Sequence, residues 1–338
     1  GDEVIGVAAG FPTTVNPIIQ FGAVPVFVDV DLKTYNIDAS LVEAAITPRT
    51  KAVICVHLAG WPCDMDPIVS LADRHGFKVI EDCAQAHGAR YKGRPVGSIG
   101  HVGAWSFCQD KIMTTGGEGG MVTTRDDTLW RAMWSFKDHG KSYEAVYERQ
   151  HPPGFRWLHE SFGTNWRMLE MQAVIGRIQL RRMADWTRQR QANNALLTQA
   201  LRPFASADGP VRLPHWACSG CSGLPRCARE GGPSPSCVHA QYKFYTYVRP
   251  ERLASGWSRD RIIDAINEQG VPCYQGSCSE VYLEKAFAGS GWRPKDRLPV
   301  AKALGETTLM FLVHPTLTSD DINRSVQAIT SVLKEAKR

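Results

Sequence analysis

The residues best suited to chemistry lie in the run Trp105 to Gly120. Lys111 stands there between Ser106 and the stretch Gly116-Gly117-Glu118-Gly119-Gly120. The ε-amine of such a lysine can form a Schiff base with an aldehyde. A serine hydroxyl, with loop amides unshielded by side chains, can hold a phosphate beside it. Those parts suit an aldehyde cofactor that carries a phosphate. Each has a plainer reading: most lysines are solvated, and the glycines also suit a tight turn into a strand. The order of residues does not match GxxxxGK[ST], which excludes a nucleotide P-loop.

Upstream, Asp82 closes the run Phe77-Lys78-Val79-Ile80-Glu81-Asp82. A carboxylate at a buried strand end is costly unless paired. A protonated ring nitrogen would be a good partner, and keeping it protonated makes the ring a better electron sink. Taken alone, Asp82 reads more readily as a helix cap or a structural ion pair. Gln85, three residues on, could donate to a phenolate oxygen of the same ring. His87 reads equally as a satisfied buried histidine.

These residues need a frame. Val4–Val7, Pro25–Val30, Lys51–Val56, Phe77–Asp82 and Met121–Thr124 read as strands, and helical segments such as 66–74 and 127–136 alternate with them. That alternation predicts an α/β fold with a mainly parallel sheet. Ligands in such sheets bind beyond the carboxyl ends of the strands, where Asp82 falls. The spacing of Met171, Val174, Ile175, Ile178 and Leu180 predicts a long helix over 168–190. A strand over 242–248 and helices over 259–268 and 320–335 predict a smaller C-terminal domain. The division is set at 1–190 and 191–338, with a cysteine-rich insertion at 214–239.

Composition bounds the function. The 338 residues are 43% hydrophobic and 22% charged, with a net charge of +5. That is ordinary globular composition. Basic residues are scattered rather than striped among aromatics, which disfavours nucleic acid. No run of about 18 apolar residues suggests a membrane span. No export signal precedes the first strand, so a reducing cytoplasm and free thiols are expected. Of ten cysteines, Cys218, Cys221, Cys227 and Cys237 cluster. CxxC can chelate a metal from one turn, so a structural zinc or iron–sulfur site is one expectation and a plain loop of thiols the other.

Three runs carry a resemblance: residues 1–65, Glu81-Asp82-Cys83-Ala84-Gln85-Ala86-His87-Gly88-Ala89, and the lysine run. They resemble the DegT/DnrJ/EryC1/StrS family of pyridoxal phosphate (PLP)-dependent sugar aminotransferases. Gly163-Thr164-Asn165-Trp166-Arg167-Met168 is similar to that family's GxNxRM motif, and Leu312 to Thr318 to its C-terminal motif. The resemblance implies an aspartate aminotransferase-like fold (fold type I), with a seven-stranded-type large-domain sheet and a smaller α+β domain. It implies that Lys111 binds the aldehyde and shuttles the proton, Asp82 pairs with the pyridine nitrogen, and Gln85 meets the phenolate oxygen. Ser106 would bind the phosphate and Phe11 would stack on the ring. Asn165 would reach the neighbouring subunit's phosphate, making a homodimer with shared sites. His314 would lie near the substrate.

The family's Ser-Gly-Thr phosphate turn lies upstream of Gly1, so an N-terminal piece is expected to be missing here. The reaction implied moves an amino group from glutamate or glutamine to a keto sugar, nucleotide-linked, or a keto cyclitol. The alternatives are a PLP-dependent sugar dehydratase, in which histidine replaces the lysine, and a non-catalytic paralogue acting as a partner.

Overall fold

The short β-branched runs near the start form the centre of a sheet. The structure, a computed structural model, describes all residues except 155 and 215–236. In chain order the first strands are β1 (Glu3–Val7), β2 (Val24–Val28), β3 (Thr50–Val56), β4 (Lys78–Asp82), the small hairpin β5 (Arg90–Tyr91) and β6 (Arg94–Pro95), β7 (Val102–Ser106) and β8 (Gly120–Thr124). The main sheet runs β2-β1-β3-β4-β7-β8, and all its pairings are parallel except β7 with β8. Helices α1 (Pro12–Gln20), α2 (Ala39–Val42), α3 (Met65–His75), α4 (Asp127–Lys137) and α5 (Tyr143–Tyr147) fall between or after these strands. The apolar spacing of α3 turns Ile68, Leu71 and Ala72 inward. Gly76, at φ 74°, closes that helix in the left-handed conformation glycine tolerates.

Among the described residues six strands form this sheet, where a seven-stranded type was expected. β7 was not foreseen, because Gly103 and Ala104 dilute its apolar pattern. Gly103 is required there: a Cβ would stand 2.5 Å from the Cα of Gly97.

Helix α6 (Glu170–Leu201) is the longest element and runs well past 190. Residues 191–201 contain no proline or glycine, and Leu197 and Leu201 enter a second core. Burial of each such leucine contributes about 1.5–3 kcal/mol, which extends the helix beyond its exposed amphipathic half. The second core lies under an antiparallel sheet of order β11-β12-β10-β9. Its strands are β9 (Val211–Arg212), β10 (Phe244–Val248), β11 (Cys273–Tyr274) and β12 (Thr308–Phe311). Ile262 and Ile266 of α7 (Arg259–Glu268) and Ile329 and Leu333 of α9 (Ser319–Ala336) complete it. A capping box of Thr318 and Asp321 starts α9. Helix α8 (Pro299–Thr307) joins the two halves: Asp29, after β2, accepts from the N–H groups of Val300 and Ala301. No helix among the described residues is long and apolar enough to cross a membrane.

Candidate active site

Strand direction gathers the candidate residues. Asp82 ends β4 and pairs in register with Ala104, and Ser106 ends β7 two residues later. Because β8 runs antiparallel, its first residue, Gly120, pairs with Ser106. The connection 107–119, which carries Lys111 and the glycines, is therefore tied at both ends to the same sheet edge. Gly116 and Gly117 take φ of 83° and 138°. A Cβ on Gly119 would come 2.2 Å from Thr115 Oγ1. Helix α6 pins the connection from outside: Gln179 Oε1 accepts from Thr114 N–H at 2.9 Å, and Gln172 Nε2 donates to Glu118 O at 2.7 Å.

Asp82 has no cationic partner among the described residues. Its Oδ2 accepts from Thr14 Oγ1 at 2.7 Å, and its Oδ1 from Ala84 N–H at 3.0 Å. Thr14 lies in the first turn of α1, where its N–H donates to Phe11 O at 3.0 Å. Phe11, 63% exposed, immediately precedes that helix.

Gln85 is oriented by a strained turn. Ala59 has φ 55°, the left-handed region that non-glycine residues avoid. That conformation sends its N–H to Gln85 Oε1 at 2.7 Å. With the oxygen occupied, the amide NH2 of Gln85 is left to donate. Strain of this kind costs about 1–3 kcal/mol and marks functional sites. The carbonyl of Ala59 accepts from Tyr242 N–H at 2.9 Å, bringing the β10 segment to the same place.

Lys111 is held near Tyr242. Its Nζ lies 3.2 Å from Asp110 Oδ1 and 5.5 Å from the Tyr242 ring centroid, with the side chain 17% exposed. The Tyr242 hydroxyl donates to Asp110 Oδ2 at 2.6 Å. Burial, with the Tyr242 and Lys111 contacts opposing it, leaves the Asp110 carboxyl below its ordinary range, while burial and Asp110 push the Tyr242 phenol up. His87 is buried with its ring against Trp105 and Phe107. Burial above all lowers its pKa to about 4. It is therefore a neutral packing residue at physiological pH.

A buried layer supports this edge. Glu81, 0% exposed, accepts from Gly97 N–H at 2.8 Å, Ile99 N–H at 2.8 Å, Gly100 N–H at 2.7 Å and His57 Nε2 at 3.0 Å. His57 Nδ1 accepts from Cys63 N–H at 3.0 Å, so the ring proton is on Nε2. Glu81, His57 and Cys83 are close enough together to consider as metal ligands. The three backbone donors already occupy the carboxylate, which makes the group a structural knot.

The structure brings Phe11, Asp82, Gln85, Ser106 and Lys111 to one sheet edge. It adds Asp110, Thr14, Ala59 and Tyr242, which sequence reading missed. Only Asp110, beside Lys111, carried a local signal. His314 hydrogen-bonds Thr316 Oγ1 through Nδ1 at 2.7 Å, and its carbonyl accepts from Asn193 Nδ2 at 3.2 Å. Burial first, then Arg190 and Lys243, lowers its pKa. Asn165 is exposed, bridges to Asp138 and accepts from Arg167 Nε at 3.0 Å; it forms no hydrogen bond with the others. Of the cysteine cluster, Cys218, Cys221 and Cys227 lie outside the described residues. Cys237 is buried in the main core, and its Sγ accepts from Lys92 N–H at 3.3 Å.

A pyridine ring bearing an aldehyde and a phosphate fits these residues. Among the described residues the carboxylate lacks a cation, an exposed aromatic precedes the helix whose Thr14 holds that carboxylate, the glutamine presents a donor, and the lysine is largely enclosed.

The model of the DegT/DnrJ/EryC1/StrS aminotransferase family matches residues 1–330. The chain is 36% identical to GDP-perosamine synthase of Caulobacter vibrioides, over 98% of this chain and 80% of that protein. An aminotransferase structure from Psychrobacter cryohalolentis superposes with a TM-score of 0.91 at 59% identity, covering 99% of this chain and 82% of that one. DesV of S. venezuelae, solved in complex with a ketimine intermediate, superposes with a TM-score of 0.81 at 31% identity, covering 98% and 78%.

Proposed function

Since the chain belongs to the DegT/DnrJ/EryC1/StrS aminotransferase family, we propose that Lys111 is its catalytic residue and that Asp82, Gln85, Ser106 and Phe11 hold its pyridoxal phosphate. The protein is a PLP-dependent sugar aminotransferase with the fold of that class. The observation that carries the residue assignment is the shared sheet edge. An unpaired carboxylate, an oriented glutamine and an enclosed lysine converge there on connections that the sheet fixes at both ends.

When bound, the cofactor supplies an electron sink for the charge released at a substrate carbon. Asp82 would keep a ring nitrogen protonated, and Gln85 would donate its amide N–H to the ring oxygen. Ser106 and the amides of the glycine connection take the phosphate. Lys111 Nζ would hold the aldehyde. As a free amine it would take the proton from the donor's amine-bearing carbon. Asp110 stays within reach of that amine, and its second oxygen is tied to Tyr242, which limits where the freed lysine can swing.

Glutamate or glutamine is the donor in this reading, and a nucleotide-linked keto sugar or a keto cyclitol the acceptor. His314 lies on the acceptor side. Residues 1–190 form the cofactor-binding part and 191–338 the smaller part, joined by α6. Two chains form the active unit, with Asn165 reaching the partner's phosphate. The support is a broad uncovered apolar face: Phe162, Trp166, Leu169, Met171, Val174 and Ile178 are all exposed. A cytoplasmic setting suits the buried thiols of Cys55, Cys63 and Cys83, which burial pushes up. A metal on the cysteine cluster has no part in this chemistry.

The test is Lys111→Ala. Wild-type protein reconstituted with cofactor gives a visible absorbance band, and borohydride fixes the cofactor on Lys111. The variant gives no reducible adduct and no turnover in a donor and acceptor screen. An active Lys111→Ala protein refutes the assignment.

A further inference from the structure

Among the described residues, Lys243 carries a charge near Lys111 that the site described above leaves unanswered. Its Nζ lies 5.0 Å from the centroid of the Tyr242 ring, the same ring that Lys111 Nζ approaches at 5.5 Å. It is half-buried and forms no ion pair among the described residues. Asp110, the carboxylate that acts on it, is already bound to Lys111 and to the Tyr242 hydroxyl. A second cation lies close by. Arg190, 5% exposed, donates through its Nη1 to the carbonyls of Gln241 and Tyr242 at 3.2 and 3.1 Å. Its Nε is buried without a partner. His314 lies close enough for both Arg190 and Lys243 to lower its pKa.

A half-buried ammonium without a counterion is costly. Its own proton affinity responds accordingly. Burial first, then repulsion from Arg190 and Lys111, holds Lys243 below the usual lysine range, against the pull of Asp110. The backbone that carries it is fixed. Tyr242 N–H is bound to Ala59 O, Tyr242 O is bound to Arg190, and Phe244 pairs with Phe311. A preorganised, desolvated cation beside the reacting lysine suits an anionic ligand, because the ordering cost is met in folding.

We propose that Lys243 binds a substrate oxyanion beside the Tyr242 ring, either the carboxylate of the amino donor or a phosphate of the acceptor. This rests on the aminotransferase site assigned to Lys111. The reaction needs such a residue. Both substrates must be held while Lys111 is free of the cofactor, and neither Asp110 nor Tyr242 can attract an anion. Lys243 is a binding residue here and takes no proton from the reacting carbon.

The test is calorimetric binding to cofactor-loaded protein, with glutarate as the carboxylate probe and inorganic pyrophosphate as the phosphate probe. Wild type, Lys243→Gln and Lys243→Arg are compared. Lys243→Gln binds one probe about tenfold more weakly, the size of one charge-assisted hydrogen bond. Lys243→Arg restores most of that affinity. Loss confined to glutarate assigns the donor carboxylate, and loss confined to pyrophosphate assigns the acceptor. Equal affinities of wild type and Lys243→Gln for both probes overturn the proposal, as does wild type binding neither. The borohydride adduct on Lys111 separates the two readings. Its absence in wild type sinks the aminotransferase site. Its presence with unchanged affinities sinks the role of Lys243 alone.

Discussion

Replacing Glu81 by glutamine tests whether the buried knot holds the site edge. The carboxylate accepts four hydrogen bonds, two at each oxygen: Ile99 and Gly100 at Oε1, Gly97 and His57 at Oε2. An amide can keep one oxygen, but its NH2 must face two N–H donors in either orientation. Two accepted bonds are lost and two buried donors are left unsatisfied, at about 1–3 kcal/mol each. The expected loss is about 3–4 kcal/mol, a large part of a typical stability of about 5–15 kcal/mol. The loop 97–100 leads directly into β7, so Ser106 moves with it. Urea unfolding followed by tryptophan fluorescence should show a lower midpoint at unchanged slope. Cofactor retention on gel filtration should fall in parallel. The effect also has a pH signature. Burial alone would raise the Glu81 pKa, but His57 and the amides of Gly97 and Gly100 outweigh it, and the folded value lies below the ordinary one. The stabilisation is present above the unfolded carboxylate pKa and is lost as pH falls through the folded value. A Glu81→Gln protein within about 0.5 kcal/mol of wild type would refute the reasoning.

Three further outcomes are expected. Gln85→Glu puts a carboxylate where an amide donor is needed and an acceptor against Ala59 N–H; cofactor affinity, read by titrating apo-protein, should fall at least about tenfold. His87 is neutral in the folded protein with a pKa of about 4, against 6.5 when unfolded, so the unfolded chain binds the proton first. Stability should therefore be full above pH 6.5 and decline toward pH 4 by up to about 3 kcal/mol, and His87→Asn should flatten that decline in a urea series. Met171→Glu with Val174→Glu places charge on the exposed apolar face of α6; sedimentation should show monomers and spectroscopy an intact fold, whereas an unchanged dimer counts against that interface.

The sheet was readable because β1 to β4 are short β-branched runs bounded by polar turns, and α3 and α4 have clean helical spacing. The carboxyl-end rule then placed Asp82, and the order of residues placed Ser106 and Lys111 beside it. What escaped was set by contacts between distant segments. Tyr242 and Asp110 are remote in sequence and meet only because α6 and the Leu58–Gly60 turn carry the β10 segment to the edge. The strain at Ala59 has no sequence mark, since alanine is neutral to most patterns. Strand β7 escaped because close approach of Gly97 demanded glycine where periodicity demanded an apolar residue. The end of α6 escaped because its polar Gln191, Asn193 and Asn194 hide a buried face: Asn193 looks solvated but is buried.

Arg190 and Asn193 sit one helical turn apart on α6. The first holds the carbonyls of Gln241 and Tyr242, the second those of Val313 and His314. All four acceptors are main-chain atoms, so these clamps are indifferent to which side chains the gripped segments carry. Residues 243 and 314 can therefore be exchanged by mutation while their backbone stays in place. In an engineering sense α6 is a fixed rack with replaceable tools, and a library at positions 243, 314 and 316 should change substrate preference with little loss of fold.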